Sequence, residues 1–425
     1  MSASNRAVFD GRREAANRAR GLQRTVRRHG QFPLIRSSNP TTHAPPLMVD
    51  VVEINDLEEL QQYRLLWNSL FPATPGASFF LTFDWLDTYW RHFGHNQKLR
   101  VLIVYAAGQP LGILPLCVRR ESYRVSKLRV LTYPLDNWST WYGPIGPNPA
   151  ATMMAAMQHL RRTPRDWDMI ELRWVADEAT QGGKTARAMR VAGLLSEKQE
   201  YQTTSIVDLP ATWDEYLSSK SQSLRRQFRR TLRDLFADGH AEYIRHRPLA
   251  AAEGDGDPRW DLYAMCETVA QASWQSHVTH GNTLTHERVR EYFHAAHAVA
   301  ARIGMVDVNV LTVEGRPAAF LYGYHCLGNV SALRTGFDAS LSGGLGSALM
   351  LKTIEDSCRR GDRAIDFGPG EREHKRRLRS RTVPTYRLTY TPLDSWRSQA
   401  VRLSRWAKRR WARRQADAKA QSVPA

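Results

Sequence analysis

"LSGGLGSALM", residues Leu341–Met350, places three glycines and two serines directly ahead of an apolar run that reads as the opening turns of a helix. A turn of this composition entering a helix exposes main-chain N–H groups that have no intrahelical partner, and the helix dipole adds partial positive charge at the same end. Glycine lets the backbone curl and approach a ligand closely, so such a turn can hold a diphosphate through main-chain donors. The spacing is not G-x-x-x-x-G-K-[ST], since no Lys-Ser/Thr pair follows the last glycine, and it is not G-x-G-x-x-G either. Alone, the stretch is either a phosphate-binding turn or the flexible end of the strand before it, and its surroundings decide.

Those surroundings alternate strands and helices. Upstream lie helices near Trp260 to Ser276 and His286 to Arg302, then strand-like "VDVNVLTVE", "PAAFLYGYH" and "VSALRTGF". Downstream come a helix over 345–359, the strand "RAIDFG", a short helix near His374 and the strand "PTYRLTYTP". The first half has the same order: helices around "LEELQQYRLLWNSLF" and "FFLTFDWLDTYWRHF", strands "LRVLIVYA", "PLGILPLCV" and "KLRVLTY", a Pro/Gly-rich loop, a helix near Met153, the strand "WDMIELRW", a helix near Ala186 and a strand near Thr204. One offset of 207 residues carries Trp67 onto Trp274, Gly108 onto Gly315 and Pro110 onto Pro317. The pattern predicts a duplicated α/β unit. G-x-P turns between consecutive strands imply antiparallel pairing, so the expected class is mixed α/β with largely antiparallel sheets rather than a doubly wound parallel one.

The chain has 425 residues, room for two or three domains, and a formal net charge of +18. Residues 1–46 hold nine Lys+Arg against two acids, and residues 396–425 nine against one, so the body between them carries 42 basic and 39 acidic residues. Basicity therefore belongs to the ends, and with no RNA- or DNA-reading motif, nucleic acid is not expected as a partner. The expected organisation is a disordered basic extension over 1–46, a first α/β domain over 47–210, a basic connecting helix over 211–238, a second domain over 239–392 and a basic amphipathic tail over 393–425. Cys117, Cys266, Cys326 and Cys358 are scattered without C-x-x-C spacing, which fits reduced thiols in the cytoplasm. No apolar stretch reaches the ~18 residues of a membrane span.

On a helix, Leu224, Phe228, Leu232 and Leu235 would share one face and Arg226, Arg229, Arg230 and Arg233 the other, giving either a solvated basic face or the wall of an anion-binding groove. In the tail, Trp396, Ala400, Leu403, Ala407 and Trp411 would align, with Arg397, Arg405, Lys408 and Arg409 facing away, a pattern suited to peripheral contact with an anionic membrane surface at the inner face. "DFGPG" at 366–370 has no H-R-D loop or V-A-I-K strand around it, so it is not a kinase signature; Asp366 there is a base, a salt-bridge partner or a cap. His277, His280, His294 and His297 come with no carboxylates in a recognised metal-binding pattern, and no metal is expected.

Trp274 in "ASWQS", then "VEGRPAAFLYGY", "RTGFDASLSGGLGSALMLKTIEDSCRRGDRAIDFGPG" and "EREHKRRL" resemble the acetyltransferase domain of the CelD/BcsL type, in the Gcn5-related N-acetyltransferase (GNAT) superfamily. The family's usual aromatic–lysine pair is represented by His374-Lys375. "SFFLTFDWLDTYW" and "DNWSTWYGPIGP" make the first half similar too. The resemblance implies two tandem GNAT-like domains related to the Fem-type aminoacyltransferases, and acyl transfer from acetyl-CoA to an amine or hydroxyl of a sugar or a cell-envelope or exopolysaccharide precursor. It sets the coenzyme A diphosphate at Ser342, Gly343, Gly344, Leu345, Gly346 and Ser347. Asp366 is the expected base or its orienter, with His374 as the alternative and Lys375 as a charge partner. In the first half the prolines of "YGPIGPNP" lack N–H donors, so that half is expected to scaffold or receive the acceptor, with Asp136, Trp138, Trp141 and Tyr142, and Trp274 from the second half, as acceptor-side groups. An aminoacyl-tRNA-dependent transferase and a non-catalytic binding protein with a decayed fold are the other readings.

Overall fold

The computed structural model describes residues 48–135, 139–176, 184–273, 284–341, 343–370 and 372–421, without the side chains of 409 and 412–421. The first half runs β1 (Val49–Ile54), α1 (Leu57–Gln61), α2 (Arg64–Leu70), α3 (Phe83–Phe93), β2 (Gln97–Ala106), β3 (Gln109–Ser122), β4 (Lys127–Thr132), α4 (Pro149–Arg162), β5 (Met169–Val175), α5 (Lys184–Val191) and β6 (Glu197–Asp208). After α6 (Trp213–Ser218) and α7 (Gln222–Phe236), the second runs β7 (Ala241–His246), α8 (Trp260–Ala272), α9 (Glu287–Arg302), β8 (Val306–Val313), β9 (Arg316–Cys326), β10 (Asn329–Phe337), α10 (Leu345–Arg360), β11 (Ala364–Pro369), α11 (Glu373–Leu378) and β12 (Arg381–Tyr390), before a last helix, α12 (Trp396–Gln421).

The internal repeat is visible in individual dihedral angles. Ala107-Gly108 and Glu314-Gly315 each take two positive φ values, 50° and 75° in one turn and 50° and 73° in the other. That is the turn whose twist matches a two-residue hairpin, and glycine tolerates it best. Each hairpin then carries a bulge at the same place, after Val104 and after Leu311, and pairs Tyr105 with Pro110 and Thr312 with Pro317. All of these positions obey the offset of 207. The Trp67–Trp274 match lies outside the described residues.

The strands form one mixed, mostly antiparallel sheet in the order β1-β2-β3-β4-β5-β12-β6-β11-β10-β9-β8-β7. Reading inward from either end gives five strands of one half closed by the last strand of the other: β12 pairs with β5, and β6 with β11. Between them β12 and β6 run antiparallel over Arg381–Thr389, so the two halves interlock. Among the described strands only β4–β5 and β10–β11 are parallel, and both pairings are brief.

Two expected helices are broken. "LEELQQYRLLWNSLF" divides at Gln62–Tyr63, and the connecting segment is two helices: α6, with a Thr212–Glu215 capping box, and α7, whose N-cap Ser221 accepts from the Leu224 amide. Phe228 is buried, with Leu224, Leu232 and Leu235 packed beside it on the core under α10, while Arg226, Arg229, Arg230 and Arg233 face solvent. The periodicity of that helix was therefore informative. Strand β7 has no counterpart in the sequence reading.

Candidate active site

Two features of the second half open a site. Beyond the pairing of Ser331 with Asp366, β10 and β11 diverge, and β10 continues on β9 alone to Phe337, with Leu333 left unpaired at a bulge. Past Phe337 the chain turns through Asp338, whose carboxylate accepts from the Ser340 amide (2.9 Å) and hydroxyl (2.7 Å), and enters α10 at Gly344. Gly344 has φ +96°, a backbone state for which glycine is the residue of choice.

The amides of Gly343, Gly344, Leu345, Gly346 and Ser347 make no hydrogen bond to the described residues. Gly343, Gly344 and Ser347 are exposed. A Cβ on Gly343 would meet nothing within 4 Å, and one on Gly344 only Thr231 of α7 at 4.0 Å. These donors stand at the mouth of a cavity of about 660 Å³, walled also by Ala332–Phe337, Phe367–Pro369, His374 and Lys375. Ser342 lies outside the described residues.

The corresponding junction of the first half is closed. There the Ile145 amide donates to Ile113 O (2.8 Å) and the Gly146 amide to Thr74 Oγ1 (2.9 Å), and a Cβ on Gly112 would strike Ile145 O at 2.7 Å. Pro149 begins α4. Two of its donors, the Ile145 and Gly146 amides, are thus spent inside the fold.

A second cavity, about 230 Å³, lies beside Asp366, Ser331, Val330, Trp141, Tyr142, His325 and Arg381. Neighbouring residues of β10 and β11 thus line different cavities, Val330–Ser331 and Asp366 one, Ala332 onward and Phe367–Pro369 the other. Trp174 lines both, at the unusual φ of +59° for a residue with a side chain. Strand β11 is also the strand whose pairing with β6 is interrupted between Asp366 and Pro369, where Gly368 adopts φ +74°.

Asp366 accepts from Trp141 Nε1 (2.5 Å) and from the Gly368 amide (2.7 Å). Burial pushes its pKa up from the ordinary carboxylate value, against the pull of those two donors and of the Lys375 charge. Trp141, from the first half, itself has φ +51°. Lys375 is buried, its Nζ donating to Pro369 O (2.8 Å), and burial holds its pKa down to about 8. His374 lines the larger cavity, and desolvation lowers its pKa too.

Replacing Trp141 with phenylalanine removes one of the two donors that stabilise the Asp366 carboxylate, so the Asp366 pKa should climb further. The acid limb of any activity that needs the carboxylate should move to higher pH, as a pH–rate profile of Trp141→Phe beside wild type will show. For Lys375 the sign is opposite. Between about pH 8 and 10.5 the unfolded chain keeps this proton and the folded chain has lost it, so the folded state gains as pH rises. Relative to Lys375→Met, the wild type should gain up to about 1.4 kcal/mol per pH unit across that window, measured by denaturant unfolding.

The other expected site residues divide. Tyr142 is buried against Trp85 and Tyr133, at ring separations of 5.7 and 5.1 Å, and mainly packs the first-half core. Asp136, Trp138, Trp274, His277 and His280 lie outside the described residues. His297 is buried and bonded to Pro258 O (2.6 Å), and His294 to Glu267 (3.2 Å). No group suited to a metal occurs among the described residues, and the four cysteines are buried and form no disulfide. Reasoning from sequence missed Trp174 and Arg334, which lines the larger cavity with its Nη1 on Leu333 O (2.8 Å).

Residues 222–376, α7 through most of α11, match the family model described as an acetyltransferase (GNAT) domain. This segment is similar to that domain. The structure of FemX superposes with a TM-score of 0.56 at 10% identity, over 83% of this chain and 99% of that one, so the likeness extends through both halves and concerns the fold. L-PGS from Bacillus licheniformis (TM-score 0.47, 12% identity, 83% of this chain and 96% of that one) and a tandem GNAT protein from the clavulanic acid biosynthesis pathway (0.43, 13%, 82% and 100%) are similar at a lower level. No curated protein matches the chain. No helix among the described residues is long and apolar enough to cross a membrane.

Proposed function

We propose that the protein is an acyl-coenzyme A-dependent N- or O-acyltransferase, using acetyl-CoA and acting on an amino or hydroxyl group of a sugar or envelope or exopolysaccharide precursor, as the CelD/BcsL resemblance implies. The observation that carries this reading is the set of amides at Gly343–Ser347 that have no hydrogen-bond partner among the described residues and line the larger cavity at the N-terminus of α10. Main-chain donors converging on a helix start suit a diphosphate, and the divergence of β10 and β11 leaves a slot for an extended thioester arm beside it.

The acceptor enters from the smaller cavity. Its nucleophilic nitrogen or oxygen attacks the thioester carbonyl, the bond to sulfur breaks, and the proton of the nucleophile passes to the Asp366 carboxylate. Lys375, on the donor side with a pKa near 8, is suited to protonate the departing thiolate. Alignment of the two substrates across the sheet supplies much of the acceleration, and amides of β10 beyond Ser331 steady the oxyanion. Four buried cysteines without a disulfide suit a reducing compartment.

The exposed arginine row of α7, close to Gly344 through Thr231, favours a second reading in which the donor is an aminoacyl-tRNA. One assay separates them. The chain is incubated with acetyl-CoA or with charged tRNA and a panel of amino sugars and polyols, and products are followed by mass spectrometry. Acetylated product with release of free coenzyme A supports the proposal, aminoacylated product supports the alternative, and turnover of neither removes the enzymatic reading.

A further inference from the structure

Helix α12 is held to the body by one face. Ser398 and Val401 are fully buried, Val401 against Leu128, Val130 and Met169. Arg405, on the side away from the apolar stripe as expected, turns into the body: its Nη2 donates to the buried carboxylate of Glu171 (2.7 Å), and its guanidinium lies over Tyr123. At about 100° per residue these three positions share one side of the helix, and Trp396, Leu403 and Ala407 fall on the opposite side. The apolar stripe therefore faces away from the protein. Leu393, Trp396, Leu403 and Trp411 are 84%, 72%, 60% and 63% exposed.

On either side of that stripe stand exposed cations, Arg402 on one and Arg397 and Lys408 on the other, and no acid occurs between Asp394 and Asp417. A tryptophan- and leucine-bearing face flanked by cations and fixed outward by a buried anchor is the arrangement of a helix lying in the plane of a lipid headgroup layer. A second copy of the chain would bring one acid-free basic strip against another, whereas an anionic surface complements it.

We propose that α12 docks the protein on an anionic membrane surface, with Trp396, Leu403 and Trp411 entering the interface and Arg397, Arg402 and Lys408 pairing with lipid phosphates. The inference is independent of the acyl donor.

The test is flotation of the full chain with phosphatidylcholine vesicles, alone and mixed with phosphatidylglycerol. Binding should be at least about tenfold stronger on the mixed vesicles and should weaken with salt. The triple variant Trp396→Ser/Leu403→Ser/Trp411→Ser and, separately, Arg397→Gln/Arg402→Gln/Lys408→Gln should each lose at least about tenfold in binding, with unchanged melting temperature because the altered side chains are exposed. Failure of the wild type to float with mixed vesicles overturns the proposal. So does undiminished binding by both variants, which would assign it to another part of the chain. A wild-type dimer that the serine variant dissociates, without vesicle binding, would assign the stripe to self-association and overturn it equally.

Discussion

Gly344→Pro is expected to abolish coenzyme A binding. Two losses combine at this position. Proline removes one of the main-chain donors facing the larger cavity, and its ring fixes φ near −65°, whereas Gly344 sits at +96°. The turn must then rebuild, and the neighbouring amides of Gly343, Leu345 and Gly346 no longer converge. Loss of several charge-assisted donors at once, each worth about 1.5–3 kcal/mol, predicts an affinity drop of at least about a hundredfold. The fold should survive, because Gly343 and Gly344 are exposed and almost nothing approaches them. Calorimetry with acetyl-CoA, alongside a melting curve, separates the two effects. Near-wild-type affinity in a folded Gly344→Pro protein is the result the account does not survive.

Asp366→Asn is expected to reduce kcat by about 10²–10⁴-fold, the usual contribution of a positioned base. Asparagine keeps the size of the side chain but cannot take a proton from the acceptor. It also offers one oxygen where the carboxylate serves two donors, Trp141 Nε1 and the Gly368 amide, so a modest loss of stability should accompany it. The donor affinity should be unchanged, since Asp366 lines the smaller cavity and the glycine turn the larger. Steady-state kinetics with direct donor binding distinguishes this outcome from general damage. Wild-type kcat in Asp366→Asn would move the base to another residue, with His374 next in line.

How much of this was legible in the sequence follows from the range over which each feature is decided. The hairpins at Gly108 and Gly315 were readable because a two-residue turn fixes its own chemistry, and the helix at 345–360 because its apolar spacing and flanking glycines are local. Strand β7 was not, because one of its inward residues is charged: Arg245 is buried and pairs with Asp307 (2.7 Å) and Asp356 (3.1 Å), and a buried ion network reads as a polar loop. The crossing of β6 and β12 between the halves depends on pairing of segments nearly two hundred residues apart, which no window of sequence contains. The glycine turn of the candidate site was found from composition and context. The bond from Trp141 to Asp366 spans 225 positions and could be found only in three dimensions. The break between α6 and α7 was present in the sequence as "SSKSQS", with serines suited to capping, but the apolar spacing on either side masked it.

The most direct measurement of the central claim is calorimetric titration of the full chain with coenzyme A beside pantetheine, which shares the thiol arm and lacks both phosphates of the diphosphate along with the nucleotide. One saturable site is expected for coenzyme A, with affinity at least about a hundredfold weaker for pantetheine, because the Gly343–Ser347 amides then have no phosphate to hold. Equal affinities, or no heat with coenzyme A, would contradict it.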